Sequence, residues 1–391
     1  MNSVSDPMMS AASPRVLIVE DSKTMRAVIR HALEAGGVTV VGEAETAQEA
    51  GPLIDVLRPD ALTLDIEMPG VDGLEFLDML MAKRPMPVVM FSSHTKKGAA
   101  KSIQALASGA FDCIGKPTSP NDTKTFDQLV ATVRAAIASS CVPRGEARAA
   151  LKAAHLGASL DGLPTFHRIV AMGAATGGVE ALIRILARYP TSCPPTLVAQ
   201  QIQPSFLDAL IETLDAAVRP RVKIAEEGEK IEAGRVYFSP ADGGHMTLRN
   251  NRITMVPETD PTARQPSINY LFESVAREAG PWSVGAILTG MGADGAEGLL
   301  AMRKAGAVTF AQTETSCTVS DMPKAAIAVG AAEREVSLDH MANAVLRAAT
   351  KKDGVVEPMP ELVASQETIV SAPADEVRIS DQISPALRAL R

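Results

Sequence analysis

From Arg15 onward, short apolar runs alternate with segments of helical period. VLIVE, VTVVGE, ALTLD, PVVMF and DCIG read as strands. Helices are expected from Ser22 to Ala35, Thr46 to Leu57, Leu74 to Lys83 and around Lys101 to Ser108, with a last one ending near Ala138. That order of βα units predicts a doubly wound parallel sheet over 15–139. The chain then turns to Ser, Ala, Arg and Gly with Pro143 and Pro164, a linker over 140–165 with a partly helical middle from Glu146 to His155. Over 166–349 the alternation resumes: IVAM, a helix to Tyr189, TLVAQQ, a helix from Ser205 to Val218, and RVKIA. RVYFSPADGGHMTLRNNRITMV reads as strands joined by turns at Asp242-Gly243 and Asn250-Asn251. A helix from Ile268 to Ala279, SVGAILTG, a helix from Gly295 to Lys304 and AVTFAQ complete a second, mainly parallel sheet. Residues 1–14 and 350–391 lack sustained apolar period and are expected to be a disordered lead-in and tail.

The length of 391 residues suits two to three domains, and 46% hydrophobic residues suffice for ordinary cores. A net charge of −8 with no Lys/Arg cluster argues against nucleic acid or an anionic membrane as the main partner. No basic region followed by a long apolar stretch opens the chain, and no apolar run is long enough to span a bilayer. Cys113, Cys141, Cys193 and Cys317 are scattered, which fits a reducing cytoplasm better than a disulfide framework or a zinc site.

In parallel sheets the ligand site lies beyond the carboxyl ends of the strands. Glu20 and Asp21 close the first strand and Asp65 the third. Carboxylates gathered there repel one another unless a cation sits between them, and an all-oxygen set suits Mg²⁺. Ser92 follows the fourth strand and Lys116 the fifth, adding a hydroxyl and a positive charge for a phosphoryl group carried by Asp65. The segments VLIVEDSKTMR, LTLDIEMPGVDGLEFL, VVMFSS and GAFDCIGKP resemble the receiver domain of two-component response regulators. The resemblance implies a flavodoxin-like fold of five parallel strands and phosphorylation of Asp65 by a histidine kinase. It also implies Mg²⁺ held by Glu20, Asp21, Asp65 and the backbone carbonyl of Glu67. Glu20 stands where an aspartate is more usual, and Cys113 where an aromatic switch residue is common.

Ile169 to Leu182, IVAMGAATGGVEAL, is a strand, a glycine turn and a helix start. Such a turn aims the N–H groups of Gly177 and Gly178 and the positive helix end at an anionic guest. The spacing Gly173-x-Ala175-x-Gly177 is that of a nucleophile elbow, with alanine in the middle instead of serine.

MGAATGGVEAL, LVAQQIQPSFLDAL, VYFSPADGGHM, QPSINYLFESVA, LTGMGADGAEGL and AQTETSCTVSDMPKAA resemble, in order, the chemotaxis methylesterases of the CheB family. The family demethylates glutamates of chemoreceptors and deamidates glutamines there. Its chemistry uses a serine, a histidine and an aspartate. The resemblance places Asp294 at the aspartate, Ala175 at the serine and Gln201 at the histidine, within Gln200-Gln201-Ile202-Gln203. Alanine has no nucleophile and an amide is no base, so the resemblance implies a degenerate esterase site acting by binding. Kinase and chemoreceptors are then the expected partners. Thr176 and His245 are the nearest residues for a shifted arrangement, with His245 expected to be structural. Asp294 followed by Glu297 also reads as a capping box for the next helix. Thr176, Gly177 and Met291 are expected to line an oxyanion and substrate cleft.

Overall fold

The computed structural model describes residues 13–93, 95–117, 122–139, 145–156, 166–259 and 265–350. The expected disorder of 1–14 and 350–391 therefore falls almost wholly outside the described residues, as does Cys141. Backbone contacts divide the chain into two compact units, the second of which takes up the chain at Gly145.

The first unit alternates β1 (Arg15–Val19), α1 (Lys23–Ala35), β2 (Thr39–Ala44), α2 (Ala47–Leu57), β3 (Ala61–Asp65), α3 (Gly73–Lys83), β4 (Val88–Ser92), α4 (Lys96–Ala107), β5 (Asp112–Gly115) and α5 (Thr123–Ala138). Its sheet has the order β2-β1-β3-β4-β5, parallel throughout. Every residue of β3 and β4 is buried, as a parallel strand covered by helices on both faces requires. The helix starts follow the capping signals: Ser22, Thr46, Asp72 and Asp122 each accept from the backbone N–H three residues on. The helix expected around Lys101 begins earlier, at Lys96, because Thr95 Oγ1 accepts from Gly98 N at 3.0 Å and caps it. Gly73 opens α3 against the end of β3, where a Cβ would lie 1.9 Å from the carbonyl oxygen of Asp65.

The second unit contains α6 (Glu146–Leu156), β6 (Ile169–Ala174), α7 (Gly178–Leu186), β7 (Thr196–Gln200), α8 (Pro204–Ala217), β8 (Arg221–Ile224), β9 (Arg235–Phe238), β10 (His245–Arg249), β11 (Arg252–Val256) and α9 (Ile268–Ala279). β12 (Ser283–Ile287), α10 (Ala296–Lys304), β13 (Val308–Gln312), α11 (Asp321–Ala328), β14 (Arg334–Val336) and α12 (Leu338–Ala349) complete it. Seven parallel strands run in the order β14-β13-β12-β6-β7-β9-β8. Glu146 to His155 is expected to lie in a linker. The helix instead joins the second unit, where Glu146 pairs with Arg184 of α7 at 2.8 Å. The turn at Asp242-Gly243 connects strands of different sheets, whereas Asn250-Asn251, both at positive φ, closes the antiparallel β10–β11 hairpin.

In each sheet the chain leaves two neighbouring strands in opposite directions. In the first unit these are β1 and β3, and in the second β6 and β12. Side chains beyond those carboxyl ends face an open crevice.

Candidate phosphoacceptor site and effector cleft

At the first crevice, Glu20, Asp21 and Asp65 each bring a carboxylate oxygen within 4.8 Å of the others. Glu20 and Asp65 are buried, and Asp21 is exposed. Lys116 Nζ lies 2.8 Å from Asp65 Oδ2 and 3.1 Å from Glu20 Oε2. Burial pushes the Asp65 carboxyl up against the pull of Lys116, and burial together with the Asp65 charge does the same to Glu20. Burial opposes the charge on Lys116, but its two carboxylate partners outweigh this and raise its pKa. Glu20 Oε2 and Asp65 Oδ2 sit within ion-pair range of Lys116 yet accept no well-formed hydrogen bond. Two buried carboxylate oxygens left with lone pairs to spare fit a hard cation.

Glu67 is held beside them by donating its N–H to Asp65 Oδ1 at 3.1 Å. Ser92 ends the strand next to Asp65, but its hydroxyl donates to Gly98 O at 3.1 Å and so points into the start of α4. Cys113 is buried behind it, with Sγ 3.4 Å from Ser102 O, and burial drives its thiol pKa well up. Arg26, which the sequence pattern does not single out, is buried on α1 and donates to the carbonyls of Glu20 at 2.6 Å and Asp21 at 3.1 Å. It also pairs with Glu45, which fixes the turn that presents both acids. A charged residue on the apolar face of an amphipathic helix, six positions after the acid, was the available signal.

The second crevice is built at the ends of β6, β7 and β12. Ala174 and Gln200 are register partners, so Ala175 and Gln201 leave adjacent strands side by side. Gly178 N–H closes onto Ala175 O at 2.8 Å, and is therefore not available to a guest as expected. Among the described residues, the N–H groups of Thr176 and Gly177 donate to none. Gly177 takes φ of 78°, and its missing Cβ would sit 2.4 Å from Thr318 Cβ, so only glycine fits the turn. Thr289 Oγ1 bonds to Thr176 O at 2.9 Å and holds the turn against the β12 loop that continues to Met291.

Asp294, on the same loop, does not cap the helix that follows it. The N-cap of α10 is Gly295, with no side-chain bond, because the Asp294 side chain turns toward α9. Its carboxylate accepts from Ile268 N at 2.8 Å, Asn269 N at 3.1 Å and Ser267 Oγ at 3.3 Å. Burial raises its pKa, and the helix-end donors pull it back. Gln201 Nε2 completes the set, 2.8 Å from Asp294 Oδ2 and 3.3 Å from Pro266 O.

His245 is buried, and both of its ring nitrogens are engaged. Nε2 pairs with Glu258 Oε2 at 2.6 Å, Nδ1 accepts from Ser267 N at 3.0 Å, and the ring stacks on Tyr270. The structure thus unites Ala175, Thr176, Gly177, Gln201 and Asp294, and directs His245 into its own network. Among the described residues, no helix is long and apolar enough to cross a membrane.

An acid-rich switch point in a five-stranded unit, followed by a seven-stranded unit with a glycine turn and a half-buried aspartate at its own strand ends, defines a receiver joined to an α/β effector of the esterase type. Comparison with known proteins agrees: residues 16–126 match the response regulator receiver domain and 170–345 match CheB methylesterase. The protein-glutamate methylesterase/protein-glutamine glutaminase of Agrobacterium fabrum is 42% identical over 349 residues, covering 88% of this chain and 99% of its own. The corresponding protein 1 of Caulobacter vibrioides is 41% identical over 353 residues, covering 87% and 99%. The solved Thermotoga maritima CheB methylesterase catalytic domain is 27% identical, with a TM-score of 0.44, over 47% of this chain and 99% of that one. The chain belongs to the CheB family of response regulators with a methylesterase domain.

Proposed function

We propose that this chain is a chemotaxis response regulator, phosphorylated on Asp65 by a histidine kinase, whose methylesterase-like domain binds chemoreceptor side chains without hydrolysing them. Ala175 and Gln201 stand at the family's serine and histidine positions, with Asp294 as the retained third member. One observation carries the reading: Gln201 makes the 2.8 Å bond to Asp294 that a catalytic imidazole would make, beside a residue whose side chain is only a methyl group. The orienting acid is in place, the base is an amide and the nucleophile is missing. In serine hydrolases, loss of the serine or the histidine alone costs roughly a million-fold in turnover. Such a regulator acts as a phosphoryl sink, a competitor for receptor sites or a scaffold, and works in the cytoplasm on receptor cytoplasmic segments.

In the receiver, Glu20, Asp21, Asp65 and the Glu67 carbonyl would hold Mg²⁺, which supplies charge neutralisation for phosphoryl transfer. Lys116 neutralises the buried acids, and Ser92 offers a hydroxyl once it leaves Gly98 O. The competing reading, an active methylesterase and glutaminase, is favoured by the names of relatives about two-fifths identical to this chain. It would need Thr176 as nucleophile with His245 as base, and the engagement of His245 with Glu258 and Ser267 opposes that.

Methanol release from methylated receptor fragments, measured with and without a small-molecule phosphodonor and Mg²⁺, decides between them. The proposal expects background release in both states beside an active relative. Turnover that rises on phosphorylation overturns it.

A further inference from the structure

The Gln201 amide can be assigned unambiguously. Both hydrogens of Nε2 face acceptors, Asp294 Oδ2 at 2.8 Å and Pro266 O at 3.3 Å, where a carbonyl oxygen would be repelled. Oε1 accordingly turns away from them. Among the described residues nothing donates to it, it is not among the sealed polar atoms, and the side chain is half-buried. Its backbone is tied to the turn, with Gln201 N donating to Ala174 O at 2.9 Å. Where Ala175 and Gln201 leave neighbouring strands, the described residues therefore include an acceptor without a donor, Gln201 Oε1, and two donors without an acceptor, the N–H groups of Thr176 and Gly177.

We infer that Gln201 makes this cleft selective for a primary amide, the side chain of an unmodified receptor glutamine, over the corresponding carboxylate or methyl ester. The inference rests on the binding reading above and adds which chemical form is bound. A primary amide brings one acceptor for the turn N–H groups and donors for Oε1, so both sides of the cleft are satisfied. A carboxylate brings acceptors alone, leaves Oε1 facing a lone pair, and sets a second negative charge one side chain away from Asp294. A methyl ester also lacks the donor. An ionisable imidazole at this position could take a proton and welcome the carboxylate, whereas an amide cannot.

The test is calorimetric titration of the full-length protein with chemoreceptor cytoplasmic fragments carrying Gln, Glu or Glu methyl ester at the modified positions. The Gln fragment is expected to bind roughly tenfold or more tightly than the Glu fragment, the scale of one mismatched hydrogen-bonding group. The preference should shrink toward unity in Gln201→His, which can donate when protonated, and in Gln201→Met, which cannot accept. Thermal melts establish that each variant is folded. Equal or tighter binding of the Glu fragment overturns the inference and leaves the binding reading standing. An unchanged preference in both folded variants overturns the assignment to Gln201. Failure of every fragment to bind overturns both readings.

Discussion

Gln201 and Ile268 share one oxygen of Asp294: the glutamine amide and the first N–H of α9 each approach Oδ2 at 2.8 Å. A carboxylate that orients a base in an esterase is here also the cap of a helix. That second role keeps an aspartate at this position whether or not the base survives.

Asp294→Ala should therefore destabilise the effector unit, whatever its effect on turnover. It strips the donors of Ile268, Asn269 and Ser267 of their acceptor, a loss of about 2–4 kcal/mol for a partly buried helix cap with several partners. Asp294→Asn, which retains one acceptor oxygen, should cost less than half of this. Urea denaturation followed by circular dichroism measures both, and equal stability of the alanine variant would show that the cap is dispensable.

Placing the family's serine and histidine at positions 175 and 201 tests whether the scaffold supports them. Ala175→Ser and Gln201→His, made singly, should leave methanol release at background, because triad members act as a unit. Together they should raise it by at least about a hundred-fold, still far short of the roughly million-fold gain of a full triad. The limit comes from the burial of Ala175, which is only 5% exposed, so a serine hydroxyl placed there must find room among packed neighbours. A silent double variant would place the defect in the cleft's shape instead of in two side chains.

Glu180 gives the effector unit a pH-dependent stability. It is buried on α7, and burial pushes its carboxyl up to about 7, against the pull of Arg184. Arg184 is itself divided among Glu180 at 3.6 Å, Glu146 at 2.8 Å and Asp339 at 2.5 Å, so it neutralises Glu180 incompletely. The folded state holds this proton more tightly than the unfolded state, whose glutamate titrates near about 4.3. The resulting stability is full below that unfolded value and is lost as pH rises through 7, by at most about 4 kcal/mol. Glu180→Gln should flatten the profile between these limits and be the more stable protein at pH 8. Denaturation curves across the range would contradict this if wild type and variant ran parallel.

Much of this was legible beforehand, because strand ends and glycine turns leave local marks. ALTLD and DCIG coincide with β3 and β5 residue for residue, and Ile268–Ala279 is a helix as its period implied. The acid cluster could be read because β1 is followed at once by Glu20 and Asp21 and β3 ends on Asp65. Asp294 was misassigned to a cap on α10 because sequence spacing sees only the helix that follows, while its acceptor role is toward α9, about 25 residues earlier. Arg26 is invisible for a related reason: the groups that tie it to the two acids are their backbone carbonyls, which no residue type announces. α6 buries Ala147 and Ala154 and pairs Glu146 with Arg184 of α7, partners distant in sequence, so its composition alone reads as a linker.

The orphaned oxygens of the receiver site lead to a last expectation. Glu20 Oε2 and Asp65 Oδ2 are buried beside Lys116 without a full complement of hydrogen bonds, and Asp21 adds an exposed carboxylate within reach. A divalent cation bound there satisfies only the folded state, so it stabilises the receiver by an amount set by its concentration relative to Kd. At a hundred-fold excess over Kd the gain is about 2.7 kcal/mol. Scanning calorimetry of the full chain in Mg²⁺ against chelator should show this as an upward shift of the receiver transition alone. Asp65→Asn should remove most of the shift, and with it phosphoryl incorporation from a small-molecule donor. Asp21→Asn should weaken the shift without blocking the acceptor, because Asp65 remains. A transition that ignores Mg²⁺ in the wild type would mean that Lys116 already neutralises the two buried acids and that no cation enters.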